Sequence, residues 1–548
     1  MLRTGGQAVV DVLKANAVET VFGMPGVHNL AVYDALLDSG IRHLSARHEQ
    51  GAAFMADGYA RASGDIGVCL CTSGPALLNT ATSLGTAYSD SSPVLCVASQ
   101  IPLDAVGREK GYIHECRDQL ACVEAVTGWS GSASTVAAVP ELLHEAIVQM
   151  RSGRPRPVAV EIPCDVLDAE SDIRQSSCVP VDIPRRQPED TQISAAVDLL
   201  SQARRPLIWV GGGMIISGGH DELVGLAEHI QAPVFSTVLG KGAIPGDHPL
   251  SAGSAMVHPA AKPLLDSCDC LLAIGTRFTQ EETLDWTLPI PESLIHIDID
   301  QNECGRNYRP AVFVHGDARQ SLRALNAQMA RLPARDEPQR RIEVAEMRNR
   351  IVDDCRQIAP QGVQLVETLR DALPRETVVV SDLTLAAYWC RRLLDIFEPR
   401  TNIYPWGFCT LGFGVPAAIG AKAARPDRPV VLLSGDGGFQ FNNQELAVAV
   451  ECQLPIVVLL FNNSGYGVLQ PQQQLRYGRS LGAELRNPDF VALARAYGAE
   501  SRQVTRCTDL GPAVQTAVAS GQTWVLEITF PVPLPVMEPA MQALHAAL

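Results

Sequence analysis

The sequence lacks the features of a membrane, secreted or nucleic-acid-binding protein. No apolar stretch approaches about twenty residues, the length that crosses a bilayer as a helix. No N-terminal segment combines a basic start, an apolar run and a cleavage site. Acidic residues outnumber basic ones by 60 to 44, and the net charge of −16 argues against nucleic acid or an acidic membrane surface as a partner. We therefore expect a cytoplasmic protein.

The cysteines lack the spacing of a disulfide framework or a zinc site. Fifteen of them are scattered along the chain, and none forms a CxxC pair. Several lie in apolar runs typical of strands, such as Cys69 and Cys71. This distribution predicts reduced cysteines in the protein core.

What the chain does contain is a repeated alternation of short apolar strands and helices. At about 150 residues per domain, 548 residues predict three or four domains. Linkers rich in proline and charge at 180–191 and 332–341 divide the chain. We predict an α/β fold of three doubly wound parallel-sheet domains, at 1–178, 190–332 and 355–548. The first and third blocks have a similar length and layout, so an ancient duplication is plausible.

The segment 430–463 carries the clearest chemical signal. An apolar strand at 430–433 leads into Gly435-Asp436-Gly437-Gly438, whose glycines let the backbone turn and approach a ligand. A helix at 443–452 and a strand at 454–461 follow, ending in Asn462-Asn463. Neighbouring parallel strands end at the same sheet edge, so Asp436 and Asn463 should meet there and suit Mg²⁺ with a diphosphate. The alternative is an ordinary βαβ unit with polar loop ends.

Two further patterns can each be explained either by binding of a ligand or by local structure alone. Glu49 stands at the start of a helix rich in small residues, where backbone amides alone could satisfy it. The triple glycine 211–213 follows a strand and could cradle a nucleotide diphosphate. A tight turn without a ligand explains it equally well, because the fuller dinucleotide fingerprint is missing.

Four segments together resemble the thiamine diphosphate-dependent decarboxylase and acetolactate synthase family. They are RHEQGAAFMADGYAR at 47–61, TSGPALLN at 72–79, GFCTLGFGVPAAIGA at 407–421, and the array from Gly435 to Asn463. FGMPGVHNL at 22–30 and RPRPVAVEIPCDVL at 154–167 are similar to 2-oxoacid decarboxylases of the 5-guanidino-2-oxopentanoate (2-ketoarginine) type. Acetolactate synthase is next in pattern. The resemblance covers nearly the whole chain and implies pyrimidine-binding, central and diphosphate-binding domains.

The resemblance implies a role for each matching residue. Glu49 would hydrogen-bond N1′ of the cofactor's aminopyrimidine, a task that suits a buried carboxyl group with a raised pKa. Asp436, Asn463 and the Gly465 carbonyl would bind Mg²⁺. The remaining positions would contact the cofactor or, for the two histidines, move protons at the substrate. The cofactor contacts are Pro75, Asn79, Thr384, the Cys409 carbonyl, Leu411, Gly435, Gly437 and Gly438, and the histidines are His28 and His114.

The reaction implied is decarboxylation of a 2-oxoacid with release of an aldehyde. Capture of the decarboxylated fragment by a second carbonyl, as in acetolactate synthase, is the alternative, and a catalytically silent cofactor-binding protein is a further one. For each histidine, a loop histidine bonded to a backbone carbonyl is the plain interpretation. The segment 466–479 has glutamines and arginines but no acid for a guanidinium substrate, which leaves room for a neutral or anionic one.

The resemblance also implies a site shared between two chains. The first domain of one subunit would face the third domain of another, so we expect a homodimer at minimum and a homotetramer as the probable assembly. The expected cofactors are thiamine diphosphate and Mg²⁺. FAD in the central domain is an option for which the sequence has no specific motif.

Overall fold

Three six-stranded parallel sheets follow one another along the chain. The computed structural model describes residues 2–173 and 178–535, so the predicted end of the third domain lies outside them. Successive strand residues point into two different cores: Val68 and Leu70 pack on one side of the first sheet, Cys69 and Cys71 on the other. Sheets buried on both faces are the doubly wound α/β architecture, and the predicted fold class is confirmed.

The first sheet has the strand order β3-β2-β4-β5-β7-β6, and β1 pairs separately with β8. The strands are β1 (Leu2–Thr4), β2 (Thr20–Gly23), β3 (Arg42–Ser45), β4 (Gly67–Cys71), β5 (Val94–Gln100), β6 (Trp129–Ser132), β7 (Val158–Pro163) and β8 (Glu170–Asp172). The helices are α1 (Gly5–Ala15), α2 (Leu30–Leu37), α3 (Glu49–Ser63), α4 (Pro75–Asn79), α5 (Ala81–Asp90), α6 (Ala121–Glu124), α7 (Val139–Arg151) and α8 (Cys164–Asp168).

The central sheet has the order β11-β10-β9-β12-β13-β14. Its strands are β9 (Pro206–Val210), β10 (Val234–Ser236), β11 (Ser251–Gly253), β12 (Cys270–Ile274), β13 (Leu294–Asp298) and β14 (Val312–His315). Its helices are α9 (Asp190–Gln202), α10 (Gly212–Ser217), α11 (His220–Ile230), α12 (Lys262–Asp266) and α13 (Ala318–Met329), and α14 (Gln339–Ile358) leads to the third domain.

The third sheet has the order β16-β15-β17-β18-β20-β19. Its strands are β15 (Val378–Ser381), β16 (Asn402–Ile403), β17 (Val430–Gly435), β18 (Val457–Phe461), β19 (Glu500–Val504) and β20 (Trp524–Ile528). Its helices are α15 (Pro360–Ala372), α16 (Leu385–Leu393), α17 (Gly414–Ala424), α18 (Asp436–Asn442), α19 (Leu446–Glu451), α20 (Leu469–Tyr477), α21 (Phe490–Ala496) and α22 (Cys507–Ala519).

The first and third sheets share one topology. Counted from the first strand of each six-stranded sheet, both run 2-1-3-4-6-5, whereas the central sheet runs 3-2-1-4-5-6. The central order is the one found in dinucleotide-binding folds. The shared order of the outer domains supports the duplication that their similar layout suggested.

The turn predicted at Gly435–Gly438 is instead the beginning of a helix. Helix α18 starts at Asp436, a 3₁₀ turn covers Asn443–Glu445, and α19 follows. Helix α18 contains two glycines at positions where a larger side chain would crowd a neighbouring residue. A Cβ on Gly437 would lie 2.6 Å from the Tyr466 ring, and one on Gly438 would lie 3.2 Å from the Asp382 carboxyl group.

Helices α3 and α17 bring the first and third domains into close contact. A Cβ on Gly58 would lie 2.2 Å from the Ala417 carbonyl oxygen, and one on Gly420 would lie 1.9 Å from that of Met55. Glycine lets two helix backbones approach this closely. Phe54 and Phe413 meet edge to face in the same contact, with ring centroids 5.4 Å apart. One apolar core therefore runs through both domains.

None of the described helices combines the length and the apolar composition needed to cross a bilayer.

The variant Gly420→Ala tests the close helix contact. Overpacking of a tight contact costs about 1–3 kcal/mol of unfolding free energy, so we expect a lower Tm by scanning calorimetry. Gly225→Ala is the matched control, because a Cβ at this exposed position of α11 meets no atom within 4 Å. Alanine favours a helix over glycine by about 0.5–1 kcal/mol, so this control should not lower Tm. Equal Tm values for both variants would contradict the contact.

Candidate functional site

The C-terminal edge of the third sheet forms a cavity of about 310 Å³. All its lining residues among those described lie between Leu383 and Val532. Nine positions predicted from the sequence line it together, and they come from four separate segments at strand ends and loops. They are Thr384, Cys409, Leu411, Gly435, Asp436, Gly437, Gly438, Asn463 and Gly465.

Asp436 is held rigidly at this edge. Its side chain is buried, and its Oδ2 accepts hydrogen bonds from the Gly465 backbone N–H at 3.1 Å and from Asn487 Nδ2 at 2.6 Å. Its Oδ1 accepts from the Gly437 N–H at 3.0 Å. Burial raises the pKa of this carboxyl group, while the bond from Asn487 and the backbone bonds lower it.

Asn463 faces the same carboxylate. The terminal atom of its amide lies 2.8 Å from the Gly465 carbonyl oxygen and 3.2 Å from Asp436 Oδ1. If this atom is the amide nitrogen, it donates to both oxygens. If it is the amide oxygen, three oxygens converge and require a cation between them. The two assignments differ only in which amide atom of Asn463 is oxygen and which is nitrogen, and the backbone is the same in both.

Asp382 joins the third sheet to the loop that carries Leu411. Its Oδ2 accepts from the Gly412 and Gly414 N–H groups at 3.1 Å each, and its Oδ1 accepts from Leu383 N–H at 2.8 Å. Burial raises the pKa of Asp382 to about 6, against the opposing effect of these three bonds. One buried carboxyl group thus holds the loop that carries Leu411 in place beside the cavity.

The loops that follow β2, β4 and β5 converge at the edge of the first sheet. His28 Nδ1 lies 2.6 Å from Ser73 Oγ, and the His28 and His114 rings meet edge to face with centroids 5.5 Å apart. Burial, and then the proximity of His114, lower the pKa of His28. Gln119 locks the loops, accepting from Gly74 N–H at 2.7 Å and donating to Ser99 O at 2.9 Å.

Glu49 is the first residue of α3, and Asn79 is the last residue of α4, whose first residue is Pro75. Asn79 Nδ2 donates to Glu49 Oε2 at 3.0 Å. Glu49 is half-buried in the single chain. The first sheet therefore gathers His28, Glu49, Pro75, Asn79 and His114 at one edge, apart from the residues that line the cavity of the third sheet.

Three family models match consecutive parts of this chain. The thiamine pyrophosphate enzyme N-terminal binding domain matches residues 3–122, the central domain matches 193–325, and the C-terminal binding domain matches 382–528. A probable 2-ketoarginine decarboxylase (AruI) of Pseudomonas aeruginosa is 40% identical over 91% of the chain and 89% of its own length. The chain belongs to the thiamine pyrophosphate enzyme family.

Other relatives of this thiamine pyrophosphate enzyme are named for a second activity. A probable acetolactate synthase large subunit of Methanocaldococcus jannaschii is 38% identical over 96% of the chain and 91% of its own length. The acetolactate synthase isozyme 2 large subunit of Escherichia coli is 34% identical over 96% and 95%. The resemblance found in the sequence is confirmed, and both relatives and family models make the protein an enzyme of this cofactor class.

A second and larger cavity, of about 740 Å³, lies between the first and central domains of the enzyme. The glycines 211–213 line it, yet they also pack tightly, since a Cβ on Gly211 would lie 2.2 Å from the Gly275 carbonyl oxygen. Arg154 and Asp298 face it as well. Burial lowers the pKa of Arg154 to about 10 and raises that of Asp298 to about 7. Among the described residues, this cavity shares no lining residue with the cavity of the third sheet.

Several residues that hold the enzyme's two sites together were missed in the sequence. Gln119 and Asp382 lie outside the quoted motifs, and the hydrogen bonds they accept join loops that are separate in sequence. Asn487 donates to Asp436 from 51 positions further along the chain, and no local pattern marks it. Glu445 reaches from the third domain to the start of α3. Only the folded topology brings these partners together.

The variant Asp298→Asn tests the burial of this carboxyl group in the larger cavity. A folded-state pKa near 7, above the ordinary 3.8, means that Asp298 contributes stability at low pH that is lost as pH rises towards 7. The asparagine variant lacks this dependence. We therefore expect the Tm of the variant relative to wild type to be higher at pH 8 than at pH 5.

The exposed Asp427→Asn variant is the control for this experiment, because the Asp427 side chain is 71% exposed. Its Tm difference from wild type should be the same at both pH values. A difference for Asp298→Asn that is equally independent of pH would show that the carboxyl group is not buried as described.

Proposed function

We propose that this enzyme decarboxylates a 2-oxoacid with thiamine diphosphate and Mg²⁺ and releases an aldehyde. The observation that carries the proposal is the convergence of nine motif residues on the cavity at the edge of the third sheet. They come from loops up to about 80 positions apart, and a ligand that bridges them explains why one motif set meets in one place.

We also propose the domain boundaries 1–178, 190–332 and 355–548.

The oxygen ligands of this cavity fit Mg²⁺. Mg²⁺ binds six oxygens at 2.0–2.1 Å, which places adjacent oxygens about 2.9 Å apart. The amide end of Asn463 lies 2.8 and 3.2 Å from the Gly465 carbonyl and Asp436 Oδ1, close to that spacing. In the proposed site these three groups would hold the ion, and a bound diphosphate and water would supply its remaining oxygens. Thr384, Gly435, Gly437 and Gly438 lie beside the diphosphate.

Leu411 and Cys409 would hold the organic part of the cofactor. The apolar Leu411 side chain would pack against it, and the Cys409 carbonyl would accept a hydrogen bond from its amino group. Cys409 has a positive φ of 56°, a conformation rare outside glycine, so its backbone is oriented at a cost. When bound, the cofactor would supply a thiazolium carbon that adds to the ketone, and its ring would accept the electron pair that stays behind when carbon dioxide leaves.

The residues of the first sheet would control protons. Glu49 holds the proton on N1′ of the aminopyrimidine ring, and Asn79 fixes the direction of its carboxyl group through the bond to Oε2. Pro75 lines the same edge. His28 and His114 would exchange protons with the substrate carboxylate and the new hydroxyl group. The lowered pKa of His28 keeps its ring neutral and able to accept a proton near neutral pH.

A second copy of the chain is needed to complete this site. The cavity of the third sheet is lined by residues 383–532, and Glu49 is half-exposed in the single chain. We propose that the first domain of a partner subunit covers the cavity, which would also bury that subunit's Glu49. The assembly is then a homodimer at minimum, with a homotetramer formed from two such dimers.

Carboligation is the second candidate function. It is supported by the relatives that are named as acetolactate synthases and that align with nearly the full length of the chain. In that case a second carbonyl compound, in place of a proton, would capture the decarboxylated fragment. FAD in the larger cavity would accompany this candidate, and a flavin absorbance band in the pure protein tests it.

The variant Glu49→Gln and a panel of 2-oxoacids test the proposed function. The wild-type enzyme with thiamine diphosphate and Mg²⁺ should release carbon dioxide from at least one apolar, anionic or guanidinium-bearing 2-oxoacid. Because glutamine cannot exchange a proton with the ring, Glu49→Gln should be slower by at least about 100-fold. Carbon dioxide release and product mass, with and without pyruvate as acceptor, distinguish aldehyde from carboligation product.

Two controls accompany the panel. Glu141→Gln, an exposed position in α7, should react as wild type does. Chelation with EDTA should stop the reaction, and added Mg²⁺ should restore it. Full activity of Glu49→Gln would refute the role of Glu49, and the absence of any reaction across the panel would refute the function.

A further inference from the structure

The N-terminus of α3 is held by a carboxylate from another domain. The first amides of a helix have no partner within it and require an outside acceptor. His48 supplies one, since its side chain accepts from the Gln50 N–H at 3.1 Å. Glu445 holds the backbone just before the helix: its Oε1 and Oε2 accept from the Arg47 N–H at 3.1 and 3.0 Å, across 398 positions of sequence. The His48 N–H also bonds to this carboxyl group.

Glu445 fits this place with no spare room. Its side chain is fully buried, and a Cβ on Gly51 would lie 2.4 Å from Glu445 Oε1. Burial raises the pKa of Glu445 to about 7, and the bonds from Arg47 and His48 oppose this rise. The buried carboxylate thus depends on the amides of Arg47 and His48, which lead into α3, and those amides depend on the carboxylate.

A second contact from the same short segment reaches the next residue of α3. Asn442 Nδ2 lies 3.2 Å from Gln50 Oε1 and donates to the Gly412 carbonyl oxygen at 2.8 Å. Gly412 follows Leu411 in the loop over the cavity. The segment Asn442–Glu445 therefore holds the residues on both sides of Glu49 and, at the same time, the loop of the cofactor cavity.

We propose that Glu445 is a positioning residue: it fixes the start of α3 and so sets the direction in which Glu49 meets the cofactor. This inference rests on the proposed function of Glu49. Neither the sequence motifs nor the relatives assign a role to Glu445. The Glu445 carboxylate lies 398 positions from Arg47 in the sequence. Through it, the geometry of the diphosphate-binding domain would affect Glu49, the activating group of the same chain.

The test is the rate at which enzyme-bound thiamine diphosphate exchanges its C2 proton in D₂O. The reaction is quenched with acid and the remaining proton is measured by NMR. In Glu445→Gln an amide NH₂ replaces one acceptor and opposes the backbone N–H groups. We expect exchange slower by about 10- to 100-fold, because small displacements of a catalytic group have effects of this size. The Kd for thiamine diphosphate should change by less than about threefold.

Glu451→Gln is the matched control. Glu451 lies six residues further along, contacts the Arg47 side chain rather than its backbone, and is 60% exposed. It should exchange as fast as wild type. Gly51→Ala is the second variant, because its methyl group displaces Glu445 while alanine itself favours the helix. Gly51→Ala should slow the exchange of the C2 proton as Glu445→Gln does. If Glu445→Gln fails to fold, Gly51→Ala alone tests the positioning role of Glu445.

The outcomes separate this inference from the proposed function. Slow exchange in both variants with unchanged cofactor affinity supports the positioning role. Wild-type exchange in Gly51→Ala, or in a folded Glu445→Gln, overturns it, provided that Glu49→Gln is slow. Wild-type protein that exchanges no faster than free thiamine diphosphate, or Glu49→Gln that exchanges as fast as wild type, would overturn the proposed function itself.

Discussion

The close crossing of α3 and α17 is the contact on which the rest of the structure depends. Gly58 and Gly420 allow the two backbones to touch, and no larger residue fits at either position without movement. The crossing joins the first and third domains into one core and fixes the helix that begins with Glu49. Each site residue is then placed relative to this shared core, rather than by flexible linkers between domains.

The two outer sheets supply the two halves of the chemistry in the same way. Both have the order 2-1-3-4-6-5, and in both the loops at the carboxyl ends of the strands carry the site residues. The first sheet presents Glu49 with Asn79 and two histidines. The third sheet presents a carboxylate, an amide and a glycine-lined cavity. In the proposed function, proton control and cofactor binding would be separate tasks of two domains with the same strand order, and a complete site would need both.

Much of this arrangement can be predicted from sequence because it follows from local rules. Asp436 and Asn463 could be paired because β17 and β18 are adjacent parallel strands whose ends meet, with Gly435 opposite Phe461. Thr4 could be recognised as the cap of α1, where it forms a capping box with Gln7. Strands that alternate with helices could be recognised as three parallel sheets.

The remaining features depend on contacts that no local pattern records. The start of α18 at Asp436 was taken for a turn because glycines usually mark turns, whereas here they make room for Tyr466 and Asp382. The role of Glu445 depends on an approach across 398 positions. The cavity beside Asp298 lies between two domains, and its shape is set by their packing.

A mixing experiment tests most directly the claim that each site combines two chains. Glu49→Gln and Asp436→Asn are each expected to be inactive alone. If Glu49 of one subunit serves the metal site of the other, random mixed dimers carry one intact site, and the refolded or co-expressed mixture should recover about one quarter of wild-type activity. If both residues act within one chain, every site in the mixture is defective. A mixture as inactive as its parents would contradict the shared site.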